Sequence, residues 1–346
     1  MDNQIILEIA DKYGWSNIEY NFISSGLINN TAKITAKQGS FILQQINTGV
    51  FATPSTIDNN IQLLKQFVQI NNPDYLFTNT IETKQKETLI CINNNYYRAF
   101  NFIENSYTIE SVTHESEAYE AATAFANFTN VFSNFNSDSL QDTIPHFHNL
   151  ELRFSQFEKA LKIGNQQKIK EHRIIIDEIY SVENICKKYN ALLGSKECKK
   201  RVTHHDTKIS NVLFKQNKAI CVIDLDTVMS GYFISDVGDM FRTYLSPVTE
   251  EETNMDAICI RKEVLEAIYQ GYMDYMHQHL SKYEKQFFYF AGEVMIYMQA
   301  IRFITDFLMN DIYYKTSYYH QNLNRAKNQL TLLKAFQSAT NNCHLP

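Results

Sequence analysis

The stretch VTHHDTKISNVLF, Val202 to Phe214, contains one carboxylate, Asp206, followed at a fixed distance by the amide Asn211. After a short polar turn, AICVIDLDTVMSG adds two more carboxylates, Asp224 and Asp226. Two kinds of chemistry suit such a set. A carboxylate and an amide oxygen held together fit Mg²⁺, a hard cation that takes few protein ligands and completes its shell with water and phosphate. A carboxylate without a metal to hold can accept a proton from a hydroxyl. Taken singly, each residue is ordinary, since loop aspartates are commonly turn residues or helix caps. The combination and its spacing favour chemistry. The adjacent His204 and His205 diverge and have no H-x-x-x-H or cysteine partner, so they do not form a zinc site. His204 is expected to be a hydrogen-bonding residue of the loop.

The elements that must position these residues come next. VLF (212–214) and AICVI (219–223) read as two strands joined by the turn KQNK. With the turn centred on Gln216–Asn217, Asn211 would face Val222 and Ile209 would face Asp224, opposite positions lying about 5 Å apart. Upstream, IEYNFI, TAKITA, FILQQI, TLICI and YYRAFNFI read as five short strands. The turns SSGLINN, with Gly26, and KQGS separate the first three. A helix follows Pro54, with Ser55 or Thr56 as its expected cap. From Tyr107 the pattern turns helical, with segments near 114–130, 151–163, 170–193, 255–280, 284–309 and 319–337. The fold class is α+β: a small antiparallel β lobe with one main helix over residues 1–103, and a larger, mostly α lobe over 104–346. The two join near 102–107, and clefts between lobes are where ligands bind.

Composition bounds the partners. The chain has 346 residues, of which 44% are hydrophobic, enough for sizeable cores. A formal charge of -6 leaves no electrostatic footprint for nucleic acid. Six scattered cysteines with no C-x-x-C argue against a disulfide framework and suit a reducing compartment. MDNQIILEIADKYG carries no secretory pattern. Phe287 to Met309 is long enough to cross a bilayer, yet Glu293, Arg302 and Asp306 interrupt it, so a buried helix is expected. These features predict a cytoplasmic protein without a membrane partner.

H-x-D-x-x-x-x-N followed by a hairpin and IDLDT resembles the catalytic segment of kinases, in the version found in the aminoglycoside phosphotransferase and choline kinase branch. The blocks THHDTKISNVLF, VIDLDTVMSG, SDVGDMFRT, FILQQINTGVF, IPHFHNLELRF and RFITDFLMNDIYYK together are similar to N-acetylhexosamine 1-kinases, from about Phe41 to Lys315. That resemblance implies a two-lobed protein-kinase-like fold, ATP as phosphoryl donor, Mg²⁺ and a small sugar substrate. It implies Asp206 as the catalytic base that meets the substrate hydroxyl, Asn211 and Asp224 on the metal and nucleotide, and Asp236 as the anchor of the catalytic loop. Gly26 would let the backbone approach the phosphates. Gln44 stands where kinases usually place a phosphate-contacting lysine, with Lys33 on the preceding strand as a possible substitute. Asp226 is expected to face substrate or to brace the loop. Arg302, fixed by Asp306 one turn on, and Tyr244 and Tyr313 would line the sugar pocket; a plain Arg302–Asp306 ion pair and aromatic core packing are the alternatives. Two rival readings stand beside the sugar kinase. One is a kinase of an aminoglycoside or amino alcohol, which an acidic pocket would favour. The other is a non-catalytic nucleotide- or sugar-binding module.

Overall fold

The computed structural model describes residues 1–23 and 28–341. Its first element, which the sequence patterns left unassigned, is helix α1 (Asn3–Tyr13), capped by Asp2 and closed by Gly14 in the left-handed region. Strands β1 (Glu19–Ile23), β2 (Asn30–Ala36) and β3 (Gly39–Ile46) follow. Helix α2 (Pro54–Asn71) begins on the proline itself, whose missing N–H costs nothing at a first helical position, so Thr53 rather than Ser55 or Thr56 holds the cap position. β4 (Ile90–Ile92) and β5 (Asn95–Asn101) turn on Asn93 and Asn94, both at positive φ, a conformation asparagine tolerates.

These strands form one antiparallel sheet in the order β1-β2-β3-β5-β4, so β3 pairs with β5 across the intervening helix and β4. Alternation splits the sheet into two faces. Ala32, Ile34, Leu43, Tyr97 and Ala99 point into a small core shared with Ile6 and Ile9 of α1 and with Trp15. Thr31, Gln44 and Arg98, aligned across β2, β3 and β5, lie on the other face and line a cleft.

The rest of the chain is mainly helical: α3 (Glu115–Val131), α4 (Leu150–Ile163), α5 (Gln166–Glu171), α6 (Arg173–Ser181) and α7 (Asn184–Leu193). The helix expected over 170–193 is thus broken into shorter pieces. Then come β6 (Arg201–Thr203), β7 (Val212–Lys215), β8 (Lys218–Val222) and β9 (Met229–Gly231). β7 pairs with β8, and β6 with β9, a second ribbon that no sequence pattern indicated. Helices α8 (Phe233–Tyr244), α9 (Lys262–Met276), α10 (Lys282–Gln286), α11 (Phe290–Leu308) and α12 (Gln321–Thr340) complete the chain. Their large core also takes in Ile57, Ile61, Leu64 and Val68 of α2. Helix α11 is the buried helix expected, and among the described residues no helix is long and apolar enough to cross a membrane.

Helix α8 carries Asp236 and Asp239, which accept backbone N–H groups of the loop that bears Asp206. It lies against α11 at Gly238, where an added Cβ would come within 2.3 Å of the Ala291 carbonyl oxygen. In an exposed helix, glycine to alanine stabilises by up to about 1 kcal/mol. Here the backbone blocks the methyl group, and overpacking of this kind costs roughly 1–3 kcal/mol. Gly238→Ala should therefore lower Tm in a thermal melt; an unchanged or raised Tm would mean that α8 can move off α11 freely.

Candidate active site

The loop between β6 and β7 carries Asp206 and is held from below by α8. Asp236, only 1% exposed, accepts the backbone N–H of His204 at 3.0 Å and of His205 at 2.7 Å. Burial pushes this carboxyl up to about 7, and the two amide donors pull against that rise. Asp239 accepts from the Thr207 N–H at 2.9 Å while pairing with Arg242. The loop thus rests on two carboxylates one helical turn apart. His204 supplies a third tie: its Nδ1 receives the Asp206 N–H and its Nε2 bonds the Ile223 carbonyl at 3.0 Å, linking the loop to the hairpin.

Asp206 is partly open, its side chain 20% exposed. Asn211 Nδ2 donates to Asp206 Oδ2 at 3.0 Å, and Lys208 Nζ lies 3.2 Å from the same oxygen. Both contacts fall on Oδ2, which leaves Oδ1 for a hydroxyl. Burial alone would lower Lys208; the Asp206 and Asp239 carboxylates more than reverse this, so it stays charged. The Asn211 amide nitrogen is engaged with Asp206, and the amide oxygen is the atom available to a cation.

The hairpin departs from its expected register. A bulge between Leu213 and Phe214 shifts the pairing by one residue, so Val212 faces Val222, and Asn211 bonds Ile223 through its backbone carbonyl. The ladder ends there, and Asn211 and Asp224 both line the same cleft. Asp224 adopts a left-handed conformation, φ 59°, and opens to the cleft. Surrounding protein, then the neighbouring Asp226 and Asp206 carboxylates, push it up to about 7.

Asn211, Asp224 and Lys208 border a cavity of about 530 Å³. Ile42, Phe100, Ile103, Leu213 and Leu225 give it apolar walls that suit a flat ring. A second pocket of about 240 Å³ is lined by Arg153, Gln156, Arg302, Thr305, Tyr313 and Tyr314. Packed rings connect it to the loop that carries Asp206: the Arg302 guanidinium lies 5.9 Å from the Phe147 ring, Phe147 stacks on His148, and His148 sits 5.4 Å from His205.

Several expectations change. Asp226 does not face the cleft as a substrate contact; it is 2% exposed and accepts from Arg98 and from Asn29 Nδ2, the bracing alternative. Tyr244 is wholly buried and donates its hydroxyl to the Thr207 carbonyl, so it supports the loop rather than lining a sugar pocket. Arg302 is not held by Asp306. It bonds Gln299 Oε1 and lies over Tyr313 and Tyr314, while Asp306 accepts the backbone N–H groups of Ile312, Tyr313 and Tyr314. Tyr313 does line the second pocket. Gln44 reaches the cleft wall, but its amide oxygen is taken by Arg98. Lys33 sits 3.6 Å over the Phe102 ring and is absent from the cleft lining. Gly26 falls outside the described residues. Sequence reasoning overlooked Lys208, although its place two residues after Asp206 was visible, and Arg98, for which no local signal existed.

His205 provides a pH handle on the loop. It is buried at φ 67° with Nδ1 on the Thr203 carbonyl, and burial holds it down at about 4. A histidine depressed in the native state contributes stability above its unfolded value of about 6.5, lost as pH falls through the folded value. His205→Asn keeps a residue type that tolerates positive φ. The Tm gap between wild type and variant should narrow from pH 7 toward pH 4; a constant gap would show that His205 titrates normally.

The arrangement has counterparts in solved structures. An aminoglycoside phosphotransferase from Alicyclobacillus acidocaldarius subsp. acidocaldarius DSM 446 superposes with a TM-score of 0.65 at 14% identity, over 99% of this chain and 97% of that one. A spectinomycin phosphotransferase solved with ADP and spectinomycin gives 0.65 at 12% identity, covering 97% of this chain and 98% of the other. The choline kinase of Cryptosporidium parvum Iowa II gives 0.57 at 16% identity, over 97% of each chain. The fold is therefore the two-lobed protein-kinase-like one. A family model described as the phosphotransferase enzyme family matches residues 19–267, a span that includes Asp206, Asn211 and Asp224, and the chain belongs to that family.

Proposed function

We propose that this phosphotransferase moves the terminal phosphoryl group of ATP to the anomeric hydroxyl of an N-acetylhexosamine, N-acetylglucosamine or N-acetylgalactosamine. In this reading residues 1–103 cover the nucleotide and residues 104–346 carry catalysis and the acceptor. The observation that carries the choice of acceptor is the charge of the second pocket. Arg153 and Arg302 face it, and its one carboxylate, Asp306, is already engaged by three backbone amides and by Asn322. A cationic aminoglycoside or amino alcohol would meet guanidinium groups there. A neutral sugar offers hydroxyls and an acetamido carbonyl, all able to accept from arginine, and Tyr313 and Tyr314 supply aromatic faces.

The acceptor hydroxyl gives its proton to Asp206 as its oxygen bonds to phosphorus and the bond to the leaving diphosphate breaks. Asn211 and Asp224 offer hard oxygen donors and would hold Mg²⁺, which when bound neutralises charge on the phosphate oxygens. Lys208, beside Asp206, adds a fixed positive charge on the protein side. The protein's task is mostly positioning and electrostatics.

The deciding experiment measures ADP release with Mg²⁺-ATP across a panel of N-acetylhexosamines, simple hexoses, aminoglycosides and amino alcohols. The highest kcat/KM should fall on an N-acetylhexosamine, with loss of its reducing end in the product; an amino alcohol or aminoglycoside as best acceptor would replace the reading. Asp206→Asn should cut kcat by about 10²–10⁴-fold while ATP and sugar still bind. Near-normal turnover in purified variant would remove Asp206 from the base role.

A further inference from the structure

We infer that Arg98 is the cation of the β sheet that meets the nucleotide's phosphates, taking over on β5 the work that kinases usually give to a lysine on β3. The inference rests on the nucleotide reading above. Gln44 and Arg98 are direct partners in the β3–β5 ladder and share the cleft face. Gln44 Oε1 accepts from Arg98 Nε at 3.1 Å and from Nη2 at 2.8 Å, so the glutamine is turned toward the arginine. Nη2 also forms an ion pair with Asp226, and the guanidinium lies 5.0 Å from the Phe100 ring. Nη1 is left over. It is buried and has no hydrogen-bond partner, in a residue only 1% exposed that borders the cleft.

An unsatisfied buried donor costs roughly 1–3 kcal/mol, more on a charged group. A guanidinium has five N–H donors in a fixed fork, and here Nε and Nη2 have partners while both hydrogens of Nη1 have none. A phosphate oxygen entering the cleft would satisfy them with charge-assisted bonds. Among the described residues lining the cleft, Arg98 and Lys208 are the two cations. Lys208 is already ion-paired with Asp206, whereas Nη1 of Arg98 has no partner. Its holders have a further effect. Asp226 lies two residues beyond Asp224, and Asn29 Nδ2 fixes the other Asp226 oxygen at 2.8 Å. Gln44, Asp226 and Asn29 are therefore positioning residues, and they tie the arginine to the turn that bears Asp224.

Removing Arg98 alone would leave a buried carboxylate unpaired, so the test compares Arg98→Met/Asp226→Asn with Asp226→Asn. Dissociation constants for ATP and for adenosine are measured by calorimetry on each, with wild type as reference. The double variant should bind ATP about ten- to a hundredfold more weakly than the single one, the loss expected for a charged hydrogen bond, with adenosine binding equal in both. Equal ATP affinity in the two variants overturns the assignment. So does a double variant that loses adenosine and ATP alike, because the role is then structural. Wild type that binds neither ligand overturns the nucleotide reading and this assignment with it.

Discussion

Asp236 receives the backbone amides of two consecutive loop residues from inside a helix, and the position of Asp206 follows from that pair of bonds. A carboxylate so deeply buried carries a large desolvation cost, offset here by donors that cannot rotate away. Because both donors are backbone groups, the loop has one arrangement that satisfies them, with His205 forced to positive φ. Asp239, Tyr244 and His204 then fix Thr207 and the approach to the hairpin. Even the close packing of α8 on α11 matters through this link, since it sets the height of the carboxylates.

Three aspartates near the cleft share a side chain and differ in surroundings. Asp206 is partly open and leans on Lys208; Asp224 opens to the cavity among like charges; Asp226 is sealed against Arg98. Environment divides the labour among chemically identical groups, as expected where burial and neighbouring charge set behaviour. The second pocket follows the same rule: Asp306 would be an acidic lining residue if its oxygens were free, but the chain that returns over it consumes them.

Much of this was legible in the sequence because short apolar runs and turn residues mark strands locally. The five strands, the hairpin and the acids at its base follow from such signals. Helix α8 escaped notice because Ser235, Asp236 and Asp239 are buried in it, so polarity and burial no longer coincide along its face. The bulge in β7 could not be read, since one extra residue leaves no compositional trace. Asp306 misled because a partner one turn away on a helix is a good rule only while the following loop offers no backbone donors. Gln44 was visible as a missing lysine, yet its partner Arg98 is a neighbour only once β3 skips to β5, a non-local pairing that no window on the sequence contains.

The sheet and α1 bury most of their apolar side chains in a small core of their own, whereas α2 packs into the large helical one together with Ile46 at the end of β3. Cooperativity in folding arises from shared apolar contacts, so each core can melt with its own free energy. Between them lies a polar seam where Arg98 and Asp226 meet. Separate cores of this kind predict that the strand amides of the sheet exchange with solvent on a different free-energy scale from those of α8 and α11.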